Sequence, residues 1–138
     1  MIQINSYLTF NGNCREAMQF YQSCLGGELL LQTVGESPLS EQLPQEMKDC
    51  IVHSTLKRDG VILMGTDMVG EKGLLPGNTV SLLLQCSSET EIRDCYSRLS
   101  DGGKATHPLH VSFWGALFGD LTDRYGNNWL LHFENRKS

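Results

Sequence analysis

No stretch of this chain approaches the ~20 consecutive apolar residues of a membrane-spanning helix, although hydrophobic residues make up 40% of it. Positive charge is scarce as well. Lys and Arg total 11 against 16 Asp and Glu, a net charge of −5. With no basic stripe to neutralise phosphates, nucleic acid is excluded as a partner. The opening residues Met1-Ile2-Gln3-Ile4-Asn5 carry neither the basic region nor the apolar core of a secretory signal, so a cytoplasmic protein is expected. Five cysteines (Cys14, Cys24, Cys50, Cys86, Cys95) form no C-x-x-C pair and no zinc-like spacing. Cys14 and Cys24 fall on the apolar stripe of one expected helix and Cys95 on that of another. That is the pattern of small buried hydrophobes in a reducing compartment. At 138 residues the chain is expected to be one domain, long enough to bury a core without staples.

What the chain does have is one pattern, twice. Ile4 to Phe10 reads as a strand ending at Asn11-Gly12-Asn13, and Asn13 with Glu16 has capping-box spacing for a helix start. Cys14, Ala17, Met18, Tyr21, Cys24 and Leu25 recur on one helical face, and Gly26-Gly27 stops the helix. Glu28 to Val34 is an expected strand, and Ser37 to Asp49 a loop with one helical turn. Cys50 to Leu56 and Val61 to Thr66 form a hairpin around Arg58-Asp59-Gly60. After a linker, Met68 to Asn78, containing Gly70, Gly73, Pro76 and Gly77, the pattern restarts. Thr79 to Cys86 is a strand, Ser88 with Glu91 repeats the capping spacing, and Ile92, Cys95, Tyr96 and Leu99 form the stripe. Gly102-Gly103 ends that helix, Lys104 to His107 is a short strand, and a last hairpin joins Phe113–Leu121 to Asn128–Glu134. Its turn, Asp123-Arg124-Tyr125-Gly126-Asn127, supplies residues that tolerate positive φ and an Asp carboxylate that can accept backbone N–H groups. Both halves read β-α-β-β-β, a tandem repeat with module one at about 1–67, a linker at about 68–78 and module two at about 79–138.

Tyr7-Leu8-Thr9-Phe10-Asn11-Gly12-Asn13-Cys14-Arg15-Glu16-Ala17, Phe20-Tyr21, Gly26-Gly27, His53, Met64-Gly65-x-Asp67 and the block from Trp114 to Trp129 resemble the vicinal-oxygen-chelate superfamily. That superfamily includes glyoxalase I, extradiol dioxygenases, fosfomycin-resistance enzymes and bleomycin-binding proteins. The branch resembled is the PhnB-like one, once labelled demethylubiquinone methyltransferase-like. The resemblance implies an α+β fold of two tandem βαβββ modules, each forming a curved half-barrel sheet with its helix outside. It also implies a ligand site in the concave face and a homodimer. A methyltransferase would need a nucleotide-cofactor site. Neither a Gly-rich loop after the first strand nor an acidic ribose partner is visible, so methyl transfer is discounted and no cofactor is expected.

Metal-dependent members of the superfamily place His or Glu ligands on the first and last strands of each module. Carried over strand by strand, those places fall on Tyr7 (or Ser6), Met64, Ser81 (or Thr79) and Leu130. A thioether, an alkyl group and hydroxyls are poor donors for a divalent metal, so no metal is expected. Period-2 alternation puts His132 and Glu134 beside Leu130 on the cavity side, with Trp129, Leu131 and Phe133 facing the helices. Tyr7 and Thr9 share the cavity side of the first strand, and Ile62, Met64 and Thr66 that of the first hairpin, with His53 and Thr55 as neighbours. His53 reads as a core histidine or as a ligand-orienting acid–base group, the second favoured because the resemblance reaches it. Trp114 reads as a cavity wall or as core, and His107 and His110 as solvated loop residues flanking Pro108. The acidic run Glu89, Glu91, Asp94 reads as a solvated helix face.

The expected function is small-molecule binding in an apolar, aromatic-lined cavity built from Tyr7, His53, Met64, Ser81, Trp114, Leu130 and His132. The alternatives are a metal-dependent lyase, transferase or dioxygenase with displaced ligands, such as His53, His132 and Glu134, or a metal-free enzyme using His53 or Tyr7 as acid or base.

Overall fold

The structure, a computed structural model, describes residues 2–70, 73–75 and 77–134. The chain divides into two compact units, Met1–Leu75 and Pro76–Ser138. In the first, β1 (Ser6–Thr9), α1 (Cys14–Leu25), β2 (Glu28–Thr33), β3 (Ile51–Arg58) and β4 (Val61–Thr66) form a four-stranded sheet in the order β1-β4-β3-β2. The second unit repeats the plan with β5 (Leu82–Gln85), α2 (Glu89–Ser100), β6 (Lys104–Val111), β7 (Leu117–Thr122) and β8 (Asn128–Phe133), in the order β5-β8-β7-β6. Each sheet pairs its first and last strands in parallel and the others antiparallel, and neither closes into a barrel. This is the α+β, two-module βαβββ fold.

One face of each sheet is covered by its own helix. The buried residues of α1 are Cys14, Ala17, Met18, Tyr21, Cys24 and Leu25, and those of α2 are Ile92, Cys95, Tyr96 and Leu99, as the helical periodicity requires. Beneath α1 the helix comes so near β4 that a Cβ on Gly65 would lie 3.1 Å from Met18 Sδ and 3.2 Å from Ser54 Oγ. Gly27 is tighter still: its φ is +101°, and a Cβ would meet Lys57 O at 2.6 Å. At both helix exits an arginine from the following β-turn reaches back to a terminal carbonyl, Arg58 Nη1 to Leu25 O and Arg124 Nη2 to Asp101 O. Those bonds satisfy acceptors that a helix end leaves open.

Four local expectations change. Helix α1 begins where expected, but Asn13 makes no side-chain capping bond. Its role passes to Asp67, distant in sequence, whose Oδ1 accepts from Gly12 N at 3.0 Å and Cys14 N at 2.9 Å. At α2 the Ser88 hydroxyl accepts from Glu91 N at 3.0 Å, while the Glu91 carboxylate turns one residue further out, to Ser87 N at 2.9 Å. The segment between β2 and β3 winds through three short 3₁₀ turns, at Val34–Glu36, Pro38–Glu41 and Gln45–Met47. Finally, β6 does not stop at His107. It runs on to Val111 with register shifts on both sides of His107, so His107 and His110 lie on a strand. An edge strand can bulge and can hold Pro108, whose missing N–H the ladder does not need. The charged run on α2 is solvated and cross-linked along the helix, Arg93 to Glu89 at 3.3 Å and Arg98 to Asp94 at 3.0 Å.

Candidate functional site

The sheet face turned away from each helix carries most of the residues singled out in the sequence. In the first unit the ladder sets Tyr7 beside Met64, Met64 beside Thr55, and Thr55 beside Leu30. The next row along holds Thr9 beside Thr66, and His53 beside Gln32. Tyr7 and Leu30 are exposed on this face, and Ser54 and Leu56 of β3 are buried on the other. His53 Nε2 lies 3.2 Å from Thr55 Oγ1, and its ring is 6.4 Å from that of Tyr7. His53 is therefore not a core histidine. It is half-buried on the open face with a hydroxyl partner.

The second unit has the equivalent rows. Leu83 pairs with Leu130, Leu130 with Asp120, and Asp120 with His107. Beside them, Gln85 pairs with His132, His132 with Phe118, and Phe118 with His110. Trp129 and Leu131 are buried on the helix side, and Leu130 and His132 are half-buried on the other, the alternation expected for β8. Ser81 lies exposed just before β5, and the residue that pairs with Leu130 is Leu83. Trp114 is 50% exposed, so it is not core. Its ring lies 6.0 Å from Phe118 and 4.8 Å from Phe113, and Phe118 in turn meets His110 edge-on at 6.4 Å.

Sequence reasoning missed His107, Asp120, His110, Phe118, Gln85 and Leu83 as members of this face. His107 Nδ1 sits 2.9 Å from Asp120 Oδ2, a pair invisible while His107 is read as loop. Alternation puts Phe118 and Leu83 each on one face of its strand, but only the register with β8 sets them beside His132 and Leu130. On the reverse side, the Tyr96 hydroxyl shares its proton between His107 O at 3.0 Å and Asp120 O at 2.8 Å. Burial pushes that phenol above its ordinary pKa, and the bonds pin the bulged strand to α2.

The groups implied by the superfamily can be tested against these residues. At the metal-ligand places, Tyr7, Met64, Leu130 and either Ser81 or Leu83 supply a phenol, a thioether, an alkyl group and a hydroxyl or second alkyl group. That donor set does not fit a divalent transition metal. Among the described residues no three His, Cys, Asp or Glu side chains are grouped to hold one. A methyl donor of the nucleotide type fares no better at the β1–α1 turn. There the amides of Gly12 and Cys14, which open the helix where an anionic group would sit, are bonded to Asp67. Cys14, Cys50 and Cys86 are not activated either. Burial raises Cys14 to about 11 and also raises Cys50, and the hydrogen bond with Cys95, with burial, raises Cys86.

Solved structures of glyoxalase/bleomycin-resistance/dioxygenase proteins from Burkholderia phytofirmans and Sphaerobacter thermophilus share this fold. The sequence profile described as 3-demethylubiquinone-9 3-methyltransferase matches residues 2–132, and the chain belongs to this family. It is 32% identical to Protein YjdN of Escherichia coli (strain K12), over 94% of this chain and 93% of that one. Protein PA1353 from Pseudomonas aeruginosa superposes with a TM-score of 0.86 at 36% identity, covering 99% of this chain and 100% of that one. A PhnB protein from Bacillus cereus, a putative 3-demethylubiquinone-9 3-methyltransferase, superposes at 0.74 with 26% identity, covering 96% and 100%.

Proposed function

We propose that the protein binds a small organic molecule on the helix-free sheet faces and needs no transition metal to do so. The observation that carries this reading is the open face of the second unit, where Trp114, Phe118, Leu83 and Leu130 stand beside His132 and the His107–Asp120 pair. Exposed apolar and aromatic side chains with a few oriented polar groups are what a small-molecule site requires. Tyr7, Met64 and His53 give the first unit a smaller version of the same surface. The family's description names a methyl transfer, but the sequence shows no Gly-rich nucleotide loop after the first strand, and the Gly12 and Cys14 amides at the β1–α1 turn are bonded to Asp67. Binding is therefore preferred to that reaction. A metal-free acid–base role for His53 is the second reading, favoured by its Thr55 contact on an open face. A cytoplasmic homodimer is part of the same proposal, since each open sheet leaves strand edges that can pair.

Native mass spectrometry of protein purified without added ligand, with elemental analysis of the same sample, tests this reading. The expected result is a non-covalent organic adduct, with zinc, nickel and iron well below about one per chain. A stoichiometric metal that is lost in His53→Ala or His132→Ala would overturn it.

A further inference from the structure

The His107–Asp120 pair does more than hold β6 to β7. A carboxylate can only accept, so the proton between them belongs to His107 Nδ1, which lies 3.0 Å from Asp120 Oδ1 and 2.9 Å from Oδ2. The imidazole is thereby set in one tautomer, with the lone pair of Nε2 turned outward. The His107 side chain is 68% exposed, so that lone pair faces a surface a ligand can reach, while Asp120 beneath it is only 27% exposed. One strand row away, about 7 Å along the sheet, lies the aromatic corner formed by Trp114, Phe118 and His110. The bulge in β6 creates this juxtaposition. His107 and His110 are three apart in sequence, but their partners Asp120 and Phe118 are two apart and therefore on one face. In a regular strand, residues three apart lie on opposite faces, and one of the two histidines would point to the helix.

We infer that this corner is a binding site for a planar aromatic or heteroaromatic molecule bearing a ring N–H or O–H, whose donor is accepted by His107 Nε2 while its ring lies against Trp114 and Phe118. Asp120 is the positioning residue that holds the neutral imidazole as its Nδ1–H tautomer, which leaves Nε2 as the acceptor. The net charge of −5 and the carboxylate under the imidazole disfavour an anionic ligand. This inference rests on the small-molecule reading above and adds the ligand's chemistry to it.

Indole and 1-methylindole are the test pair, because they share a ring system and only indole has the donor. Burial alone favours the methylated compound by about fourfold, the worth of one methyl group. An accepted hydrogen bond reverses that order. Titration by NMR should show indole binding about threefold more tightly than 1-methylindole, a hydrogen bond of roughly 12-fold set against the fourfold of the methyl group, with shifts at Trp114, Phe118 and His107. In His107→Phe, which keeps a flat ring and removes the acceptor, the order should return to favour 1-methylindole. Trp114→Ala should weaken both compounds together. Long-range proton–nitrogen spectra should find His107 as the Nδ1–H tautomer, and Asp120→Leu should turn it into a mixture. A preference for 1-methylindole in the unaltered protein, or a preference for indole that survives His107→Phe, overturns the inference. So does the absence of shifts from both compounds at Trp114 and Phe118. In any of these cases an organic adduct in native mass spectrometry would leave the broader reading standing.

Discussion

Replacing Asp67 with Ala should cost far more than its place at the edge of a linker suggests. Asp67 is 7% exposed, and its carboxylate ties three segments together. Oδ1 accepts from Gly12 N and Cys14 N, and Oδ2 from Ile51 N at 2.8 Å. Cys14 N and Ile51 N are buried, and Gly12 N is partly so. Truncation leaves two buried donors without an acceptor, each worth about 1–3 kcal/mol, and a third that water can partly satisfy. The sum is about 4 kcal/mol, a large share of the ~5–15 kcal/mol that holds a typical domain together. In a chain of this length that lowers the melting temperature by about 12 °C. Asn13→Ala is the matched control. As an N-cap it would be worth about 1 kcal/mol, but its side chain makes no capping bond, so the loss should stay below about 0.5 kcal/mol. Urea unfolding followed by circular dichroism measures both, and hydrogen exchange should show protection lost at Gly12, Cys14 and Ile51 in the Asp67 variant. A cost below about 1 kcal/mol for Asp67→Ala, or a larger one for Asn13→Ala, would refute the assignment of the cap to Asp67.

Three further outcomes are expected. Leu130→Arg, on the open face of β8, should leave a folded protein, whereas Trp129→Ala should lose about 4 kcal/mol. The latter empties a buried site and strips Asp123 Oδ2 of its 2.8 Å bond from the indole N–H, and thermal melts showing the opposite order would reverse the faces of β8. Cys14 is raised by burial from 9.0 to about 11. The neutral thiol is therefore favoured in the fold, and its contribution is complete below pH 9 and lost as pH rises toward about 11. Cys14→Ala should flatten that alkaline decline in urea titrations, and an unchanged slope would contradict it. Light scattering at micromolar concentration should give twice the 15.4 kDa chain mass, and a monomer would remove the dimer from the proposal without touching the fold.

The periodic parts of this protein were written in the sequence. The stripes of α1 and α2, the double glycines that end them, the Asp59-Gly60 turn and the alternation along β8 follow from residues within a few positions of one another. Local spacing fixes those, because 3.6- and 2-residue periods leave little choice of buried face. The Asp123 turn belongs with them: its carboxylate accepts from Tyr125 N and Asn127 N at 2.8 and 3.0 Å, a bond pattern readable from the turn residues. What crosses a long stretch of chain was not legible. Asp67 caps a helix 53 positions away, displacing the capping box that Asn13 and Glu16 spell out. His107 joins Asp120 only because a bulged edge strand turns it onto the open face, and a bulge adds a residue without changing the composition. Leu83 stands beside Leu130 only through the register of a parallel pair, which no local signal sets. Tertiary hydrogen bonds and register decided which residues share the helix-free faces, while hydrophobic periodicity had already decided the two modules that carry them.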